Sequence, residues 1–366
     1  MIWVLLALAY AAAAYQILAM IAALSHRRRA SPPAHAASAV SILKPVYGAD
    51  PGFFEAIRSH AAQEFEGFEI LFGIPHPGDP ARGEIERLMR EFPGVSIRLV
   101  VCDTQTPNRK VGVLIDLARE ARYPILIVND SDITVPPGYL TEVTAPLADP
   151  AIGLVTCLYR AEASNWPGRF EALAIATEFA PSTLVAPLFG VSEFGLGSTL
   201  AFRRLDLEAI GGFAAIADYL ADDYQLGRRL HQLGRKNLLS HVVVSTRLPD
   251  GAWRAAWRHQ LRWARTIRLS RGGGYLGLPV TFATLWAVVA ACGGLWWTAL
   301  ALLAIRLAMA VTCGWFVLQS AVVWKYCYAI PLRDLWGVAV WVAGLFGNTV
   351  EWRGRKLRLD RQGRIV

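Results

Sequence analysis

Charge is what this sequence has little of. Only 18% of its residues are Asp, Glu, Lys or Arg, against 54% hydrophobic residues, 13 Trp and a positive mean hydropathy. Soluble domains carry roughly a quarter charged residues, so the deficit excludes a disordered, solvating chain and points to a protein with a membrane part. Cysteine is sparse as well: Cys102, Cys157, Cys292, Cys313 and Cys327 contain no Cys-x-x-Cys pair and straddle polar and apolar regions. That excludes a disulfide framework or a closely spaced zinc site and fits a reduced compartment. No internal repeat is evident. No charged residue precedes the first apolar run, Ile2–Leu24, whereas a cleavable signal peptide carries its positive charges first.

What is present begins with that run. It holds Gln16 as its one strongly polar side chain and, at about 1.5 Å per residue, can cross a bilayer of about 30 Å. Arg27, Arg28 and Arg29 follow it, so the positive-inside bias predicts an uncleaved anchor over residues 1–26. The N-terminus would lie outside and the next domain in the cytoplasm. Residues from Ser31 to about Arg271 have ordinary soluble composition. Apolar runs return at Leu276–Ile305, Leu307–Trp324 and Leu335–Val350, with Arg306 between the first two. The first is long enough for one tilted helix or a tight hairpin. Three crossings over 276–350 would place the basic tail, residues 351–366 with Arg353, Arg355, Lys356 and Arg358, outside, against the charge bias. Either one segment is interfacial, or the first is a hairpin, or the bias fails here. The net charge of +8 clusters beside apolar segments, which favours anionic lipid over nucleic acid as the partner.

The polar region, residues 31–250, alternates strand and helix patterns: strand Ala39–Leu43, helix Pro51–Gln63, strand Phe68–Ile74, helix Ala81–Phe92, strand Val95–Cys102, helix Lys110–Arg122 and strand Ile125–Asn129. This spacing predicts βαβ crossovers, an α/β class and a mainly parallel sheet. Ligands of such sheets bind at the strands' carboxyl ends, where Asp79 and the pair Asp130 and Asp132 fall. No Gly-x-Gly-x-x-Gly stands at a strand-to-helix turn of this region, so a dinucleotide site is not expected. Two carboxylates one residue apart at a strand end make a hard-oxygen cradle for a divalent cation. Most Asp-x-Asp strings are solvated turns, however, and His76 among prolines reads as a surface turn. Asp222 and Asp223 open an apolar-periodic stretch, so either a helix cap or a reactive carboxylate fits them. Residues 251–272 read as a basic amphipathic helix on the membrane surface, with Trp253, Trp257, Leu261 and Ile267 toward lipid.

Taken in order, Leu43-Lys44-Pro45, Asp79-Pro80, Asn108-Arg109-Lys110-Val111, Asp130-Ser131-Asp132, Gly153-Leu154-Val155, Gly197-Ser198-Thr199, Leu220-Ala221-Asp222-Asp223-Tyr224, Gln260-Leu261-Arg262-Trp263 and Trp352-Arg353-Gly354-Arg355 resemble the membrane-bound family 2/21 glycosyltransferases of GT-A fold. The resemblance is to the ceramide glucosyltransferases and the hopanoid-biosynthesis glycosyltransferases, and it leans to the latter at residues 154–160 and 262–268. It implies an inverting transfer from a UDP-sugar to a lipid hydroxyl by an integral protein of the bacterial inner membrane. The donor would be UDP-N-acetylglucosamine for a hopanoid polyol, or UDP-glucose for ceramide. It further implies Asp223 as general base and Asp130 and Asp132 as ligands of Mg²⁺ or Mn²⁺. Lys44, Asp79, Asn108, Lys110, Asp130, Arg262 and Trp263 would hold the donor, with Asp222 and His259 on the acceptor side. Two departures stand out: His259 where related enzymes carry Gln or Arg, and Gly112-Val113 where they carry polar residues. A processive polysaccharide synthase shares these motifs but needs more helices to enclose a channel. A nucleotide-sugar receptor would need no base.

Overall fold

The computed structural model describes residues 2–28 and 39–366. Arg29 of the basic trio and Ser31 at the expected start of the polar region lie outside the described residues.

The polar region is built on an eight-stranded sheet: β1 (Val40–Pro45), β2 (Phe68–Ile74), β3 (Ser96–Val101), β4 (Ile125–Val128), β5 (Ile133–Thr134), β6 (Ile152–Glu162), β7 (Leu200–Arg203) and β8 (Lys236–Arg247). Their order is β3-β2-β1-β4-β7-β6-β8-β5. The first four strands run parallel, as the βαβ pattern predicts, and β7 runs antiparallel between β4 and β6. The first seven elements fall within two residues of their sequence boundaries. The helix expected from Pro51 starts at Phe53, because Gly52 (φ 83°) makes the turn ahead of it. Strand alternation separates two cores. Ile42, Ile70, Phe72 and Ile127 pack on one face with Ile57 and Ile85, while Leu43, Leu71, Leu126 and Phe202 pack on the other with Leu114 and Leu230. Both faces are covered, which is why β4 reads as an unbroken apolar run.

Three helices are long and apolar enough to cross a membrane among the described residues: Trp3–Arg28, Trp166–Phe189 and Trp296–Val317. A bent pair, Gly272–Thr281 and Ala283–Cys292 at 49°, makes a fourth if counted as one span. The Trp166–Phe189 helix falls within the stretch that composition marks as soluble, because Arg169, Glu171 and Glu178 interrupt its apolar pattern. More than half of its most apolar window is buried in the protein. The N-terminal helix presents Ala9, Ala12, Ala19, Ala22 and Ala23 inward, and Ala283, Ala287, Ala290 and Ala299 meet its N-terminal half. Small residues let helix backbones approach where no water drives association.

The run Leu276–Ile305 is a hairpin. Its helix ends at Cys292, Gly294 takes φ 78°, and the Leu295 amide closes on the Ala290 carbonyl at 2.9 Å. Arg306 is not a separator between segments. It lies inside the helix from Trp296, 5% exposed, with Nη2 2.6 Å from Asp334. The last helix, Ile330–Gly344, gives way to a hairpin of β9 (Thr349–Trp352) and β10 (Arg355–Arg358). The tail beyond it returns to the polar domain, where the Ile365 amide donates to the Asp218 carbonyl at 2.7 Å. Tail and domain therefore pack directly against each other.

Candidate active site

The helix Arg109–Glu120 begins with Asn108 as its N-cap, whose side chain accepts from the Lys110 amide at 3.1 Å. Asn108 is fully buried, and its Nδ2 donates to the Tyr219 carbonyl at 2.8 Å. Both ends of the side chain are thus engaged within the protein. The cap aims Lys110 across the sheet's carboxyl edge, where Nζ lies 2.8 Å from Asp130 Oδ1 and 3.0 Å from Asp222 Oδ2. Burial by itself would lower the Lys110 pKa, but Asp130, Asp222 and Asp223 outweigh it and hold it raised. Gly112 packs where a Cβ would come 2.3 Å from the Thr104 carbonyl oxygen, so close helix–loop contact accounts for glycine there.

Asp130 and Asp132 follow β4 directly. The Asp130 amide donates to the Gly197 carbonyl, and the Gly197 amide donates to Asp223 Oδ2 at 2.9 Å. A Cβ on Gly197 would lie 2.9 Å from Asp130 Oδ2 and 3.4 Å from Asp223 Oδ2. One glycine thus brings together carboxylates 93 residues apart in sequence. Asp132 bonds Thr246 of β8, and burial, then Asp130, raises its pKa. Lys44 lies beneath this pair, fully buried, with Nζ donating to the Asp130 carbonyl at 3.1 Å. Burial pulls its pKa down to about 7 against the pull of Asp132 and Asp130.

Asp222 and Asp223 open the helix Asp222–Gln232, but neither is its cap: Ala221 holds that position without a side-chain bond. Asp223 Oδ1 accepts from the Tyr224 amide at 2.7 Å. Burial first, and the neighbouring Asp222 second, push the Asp223 pKa up to about 6. Asp79 is buried, with its carboxylate oxygens each 3.1 Å from the Gly48 amide and Oδ1 2.9 Å from that of Ala81. It ties the loop after β1 to the helix Ala81–Glu91. His76 is an exposed turn residue, as expected.

Arg262 and Trp263 lie on the helix Trp253–Ser270. Burial lowers the Arg262 pKa, while Asp130, Glu171 and Asp223 act against that as its charged neighbours. Of this helix's residues expected toward lipid, Trp253 and Ile267 are exposed at 44% and 45%. Trp253 and Trp257 also pack against the Trp336 ring of the last helix, tilted at 5.6 Å and edge-on at 5.2 Å, and Trp253 meets Phe170. Against the inner side of the Arg262 helix lies the Trp166–Phe189 helix, which composition hides. That helix also supplies Glu171, which sequence reasoning missed. Glu171 is 5% exposed and 2.5 Å from His259 Nδ1, and the His259 ring lies 4.9 Å from Trp263. A Glu inside the otherwise apolar run from Phe170 to Ala176 was the available signal.

No group of three or more His, Cys, Asp or Glu side chains arranged to hold a metal occurs among the described residues. Asp130 and Asp132 still fit a hard cation that completes its shell with diphosphate oxygens and water, since such ions are commonly held by one or two carboxylates.

A parallel-edge cleft with an Asp-x-Asp pair, a buried lysine and a second carboxylate pair defines a GT-A-type glycosyltransferase. The chain belongs to glycosyl transferase family 21, whose model matches residues 1–365. It is 27% and 29% identical over 205 residues to ceramide glucosyltransferases 1 and 3 of Caenorhabditis elegans, covering 55% of this chain and 44% of each relative. The chain thus spans less than half the length of those relatives. It is 30% identical over 120 residues to the ceramide glucosyltransferase of Komagataella phaffii, covering 31% of this chain and 24% of that one. Among solved structures, the mannosyltransferase PcManGT from Pyrobaculum calidifontis, in complex with GDP-Man and Mn²⁺, shares the fold with TM-score 0.58 and 19% identity. The alignment covers 93% of this chain and 96% of that one.

Proposed function

We propose that this protein transfers a sugar, with inversion, from a nucleoside-diphosphate sugar to a hydroxyl of a membrane lipid. The observation that carries the reading is the junction at Gly197, which sets the Asp130 and Asp223 carboxylates on either side of one glycine. The acceptor oxygen forms a bond to the anomeric carbon as the bond from that carbon to the diphosphate breaks, and Asp223 takes the acceptor's proton. Its raised pKa suits a base working near neutral pH. Lys110 and Arg262 stand where charge grows on the leaving diphosphate. Asp130 and Asp132 would hold Mg²⁺ or Mn²⁺, which as a Lewis acid neutralises the diphosphate; the likeness to a fold that binds Mn²⁺ supports this. Asn108 and Asp222 fix Lys110, Lys44 braces Asp130 from below, and Asp79 sits at the nucleotide end. His259, held by Glu171 beside Trp263, lies on the acceptor side.

For the substrates, the sequence resemblance favours UDP-N-acetylglucosamine and a hopanoid polyol. A second reading, UDP-glucose and ceramide, draws on the names of the curated relatives. The candidate membrane helices and the bias of Arg27 and Arg28 support a catalytic domain on the cytoplasmic face of its membrane, and the hopanoid resemblance makes that the bacterial inner membrane. Purified enzyme in detergent, offered each donor with each lipid, with Mn²⁺ or with EDTA, tests the reading by mass of the product. Glucosylated ceramide without any hopanoid product would select the second reading. No glycolipid from any pairing would refute the transferase assignment, and equal turnover in EDTA would remove the metal.

A further inference from the structure

We infer that the C-terminal β9–β10 hairpin is a clamp on the nucleotide end of the site, with Arg353 as its positioning residue. This rests on the reading that Asp79 marks that end. Arg353 and Gly354 form the two-residue turn of the hairpin, with φ 47° and 74°. Such a turn favours Asn-Gly, and a long side chain in the left-handed region is disfavoured. Arg353 is one of two non-glycine residues with positive φ among those described, and it makes specific contacts. Its guanidinium lies 5.2 Å from the centre of the Tyr47 ring, and Nη1 donates to the Tyr47 carbonyl at 2.7 Å. The next amide, that of Gly48, is the one that bonds the Asp79 carboxylate. Arg353 therefore presses the loop after β1 onto Asp79.

The same tail grips two other walls of the cleft. The amide of Ile365 donates to Asp218 and that of Leu220 to Gly363, while Arg364 lies over the Tyr219 ring at 5.4 Å. Tyr219 is the residue whose carbonyl holds Asn108, three positions before Asp222. On the third side Arg258 pairs with Glu351 at 3.2 Å, and Arg265 donates to the Phe346 and Thr349 carbonyls. Those two arginines flank Arg262 and Trp263 on their helix. Val350, Leu357 and Leu359 seal the junction against Leu220. A segment that composition reads as a basic tail thus joins the Asp79 loop, the run into Asp223 and the Arg262 helix. Pre-set walls raise affinity for the donor by lowering the ordering that binding requires.

The test uses the full chain in detergent, titrated with UDP and with GDP in the presence of Mn²⁺ by calorimetry, and melted in parallel. Wild type, Arg353→Ala, Arg353→Lys and, as a control, the exposed Arg361→Ala are compared. Arg353→Ala should weaken the nucleotide that wild type binds by about tenfold, from one lost hydrogen bond and one ring contact. Arg353→Lys should fall between the two, and Arg361→Ala should match wild type. Wild-type affinity in an Arg353→Ala protein would overturn the clamp and leave the site reading standing. If Arg353→Ala melts early, Arg353→Lys decides: unchanged affinity overturns the clamp and weakened affinity supports it. Binding of neither nucleotide by wild type would overturn the site reading, and the clamp with it.

Discussion

On the proposed mechanism, Asp223 concentrates the chemistry in one side chain. A general base acts only in the transition state, so Asp223→Asn should lower kcat by about 10² to 10⁴ and leave nucleotide binding near wild type. Retention of more than a few per cent of turnover would remove Asp223 from the role. The pH dependence has a fixed sign. The base works as carboxylate, so wild-type rate should fall about tenfold per unit as pH drops below about 6. The residual rate of Asp223→Asn should lack that limb. Because the folded pKa lies above the ordinary 3.8, ionising Asp223 opposes folding. That penalty is absent well below pH 4 and complete above about pH 6. Asp223→Asn should therefore melt higher than wild type at pH 8 and alike at pH 3.

Among the elements, the turn before β7 meets the helix Asp222–Gln232 at Gly197, beside the close packing of Phe194 and Gly195 on Gly227. Gly197→Ala would place a methyl group against both carboxylates, 2.9 Å from one and 3.4 Å from the other. We expect turnover to drop more than tenfold while the melting temperature changes by less than about 3 °C, because the atoms displaced are polar groups of the cleft. A large loss of stability with normal specific activity would mean that the glycine serves packing alone. The Trp166–Phe189 helix illustrates how far elements can mislead when read alone. Its charges suggest a solvated surface, yet Glu171 and Glu178 find their partners on two other helices, at His259 and Arg333.

For the whole molecule, the pair Arg306–Asp334 joins two helices of the apolar part, with side-chain exposures of 6% and 10%. Arg306→Met leaves Asp334 buried and uncompensated and should cost about 3 kcal/mol, read from thermal melting in detergent. The double variant Arg306→Met/Asp334→Leu should melt closer to wild type than either single variant; a double variant worse than both would contradict the pair. Topology is equally open to test. Cys292 is an exposed free thiol at the tip of the hairpin, whereas the tail folds back on the catalytic domain. In sealed vesicles of a Cys327→Ser variant, an impermeant maleimide should reach Cys292 only from the face opposite a C-terminal tag. Labelling from the same face would mean that the hairpin does not cross.

The sequence by itself determined the parallel half of the sheet, the long apolar N-terminal helix and the carboxylates that gather at the sheet's carboxyl edge. Period-two and helical apolar patterns are local, and β1 to β4 follow them to within two residues. Runs such as Asp130-Ser131-Asp132 are legible because their chemistry depends on residue type more than on surroundings. What only the tertiary structure decided are contacts between distant segments: Gly197 between Asp130 and Asp223, Glu171 against His259, Arg306 on Asp334, and the tail on Tyr47 and Asp218. Hydropathy weighs a charge by its type, but burial depends on the partner, and a partner 26 or more positions away leaves no periodic trace. The hairpin after Cys292 has the same origin: Gly293 and Gly294 permit it, and packing alone selects it.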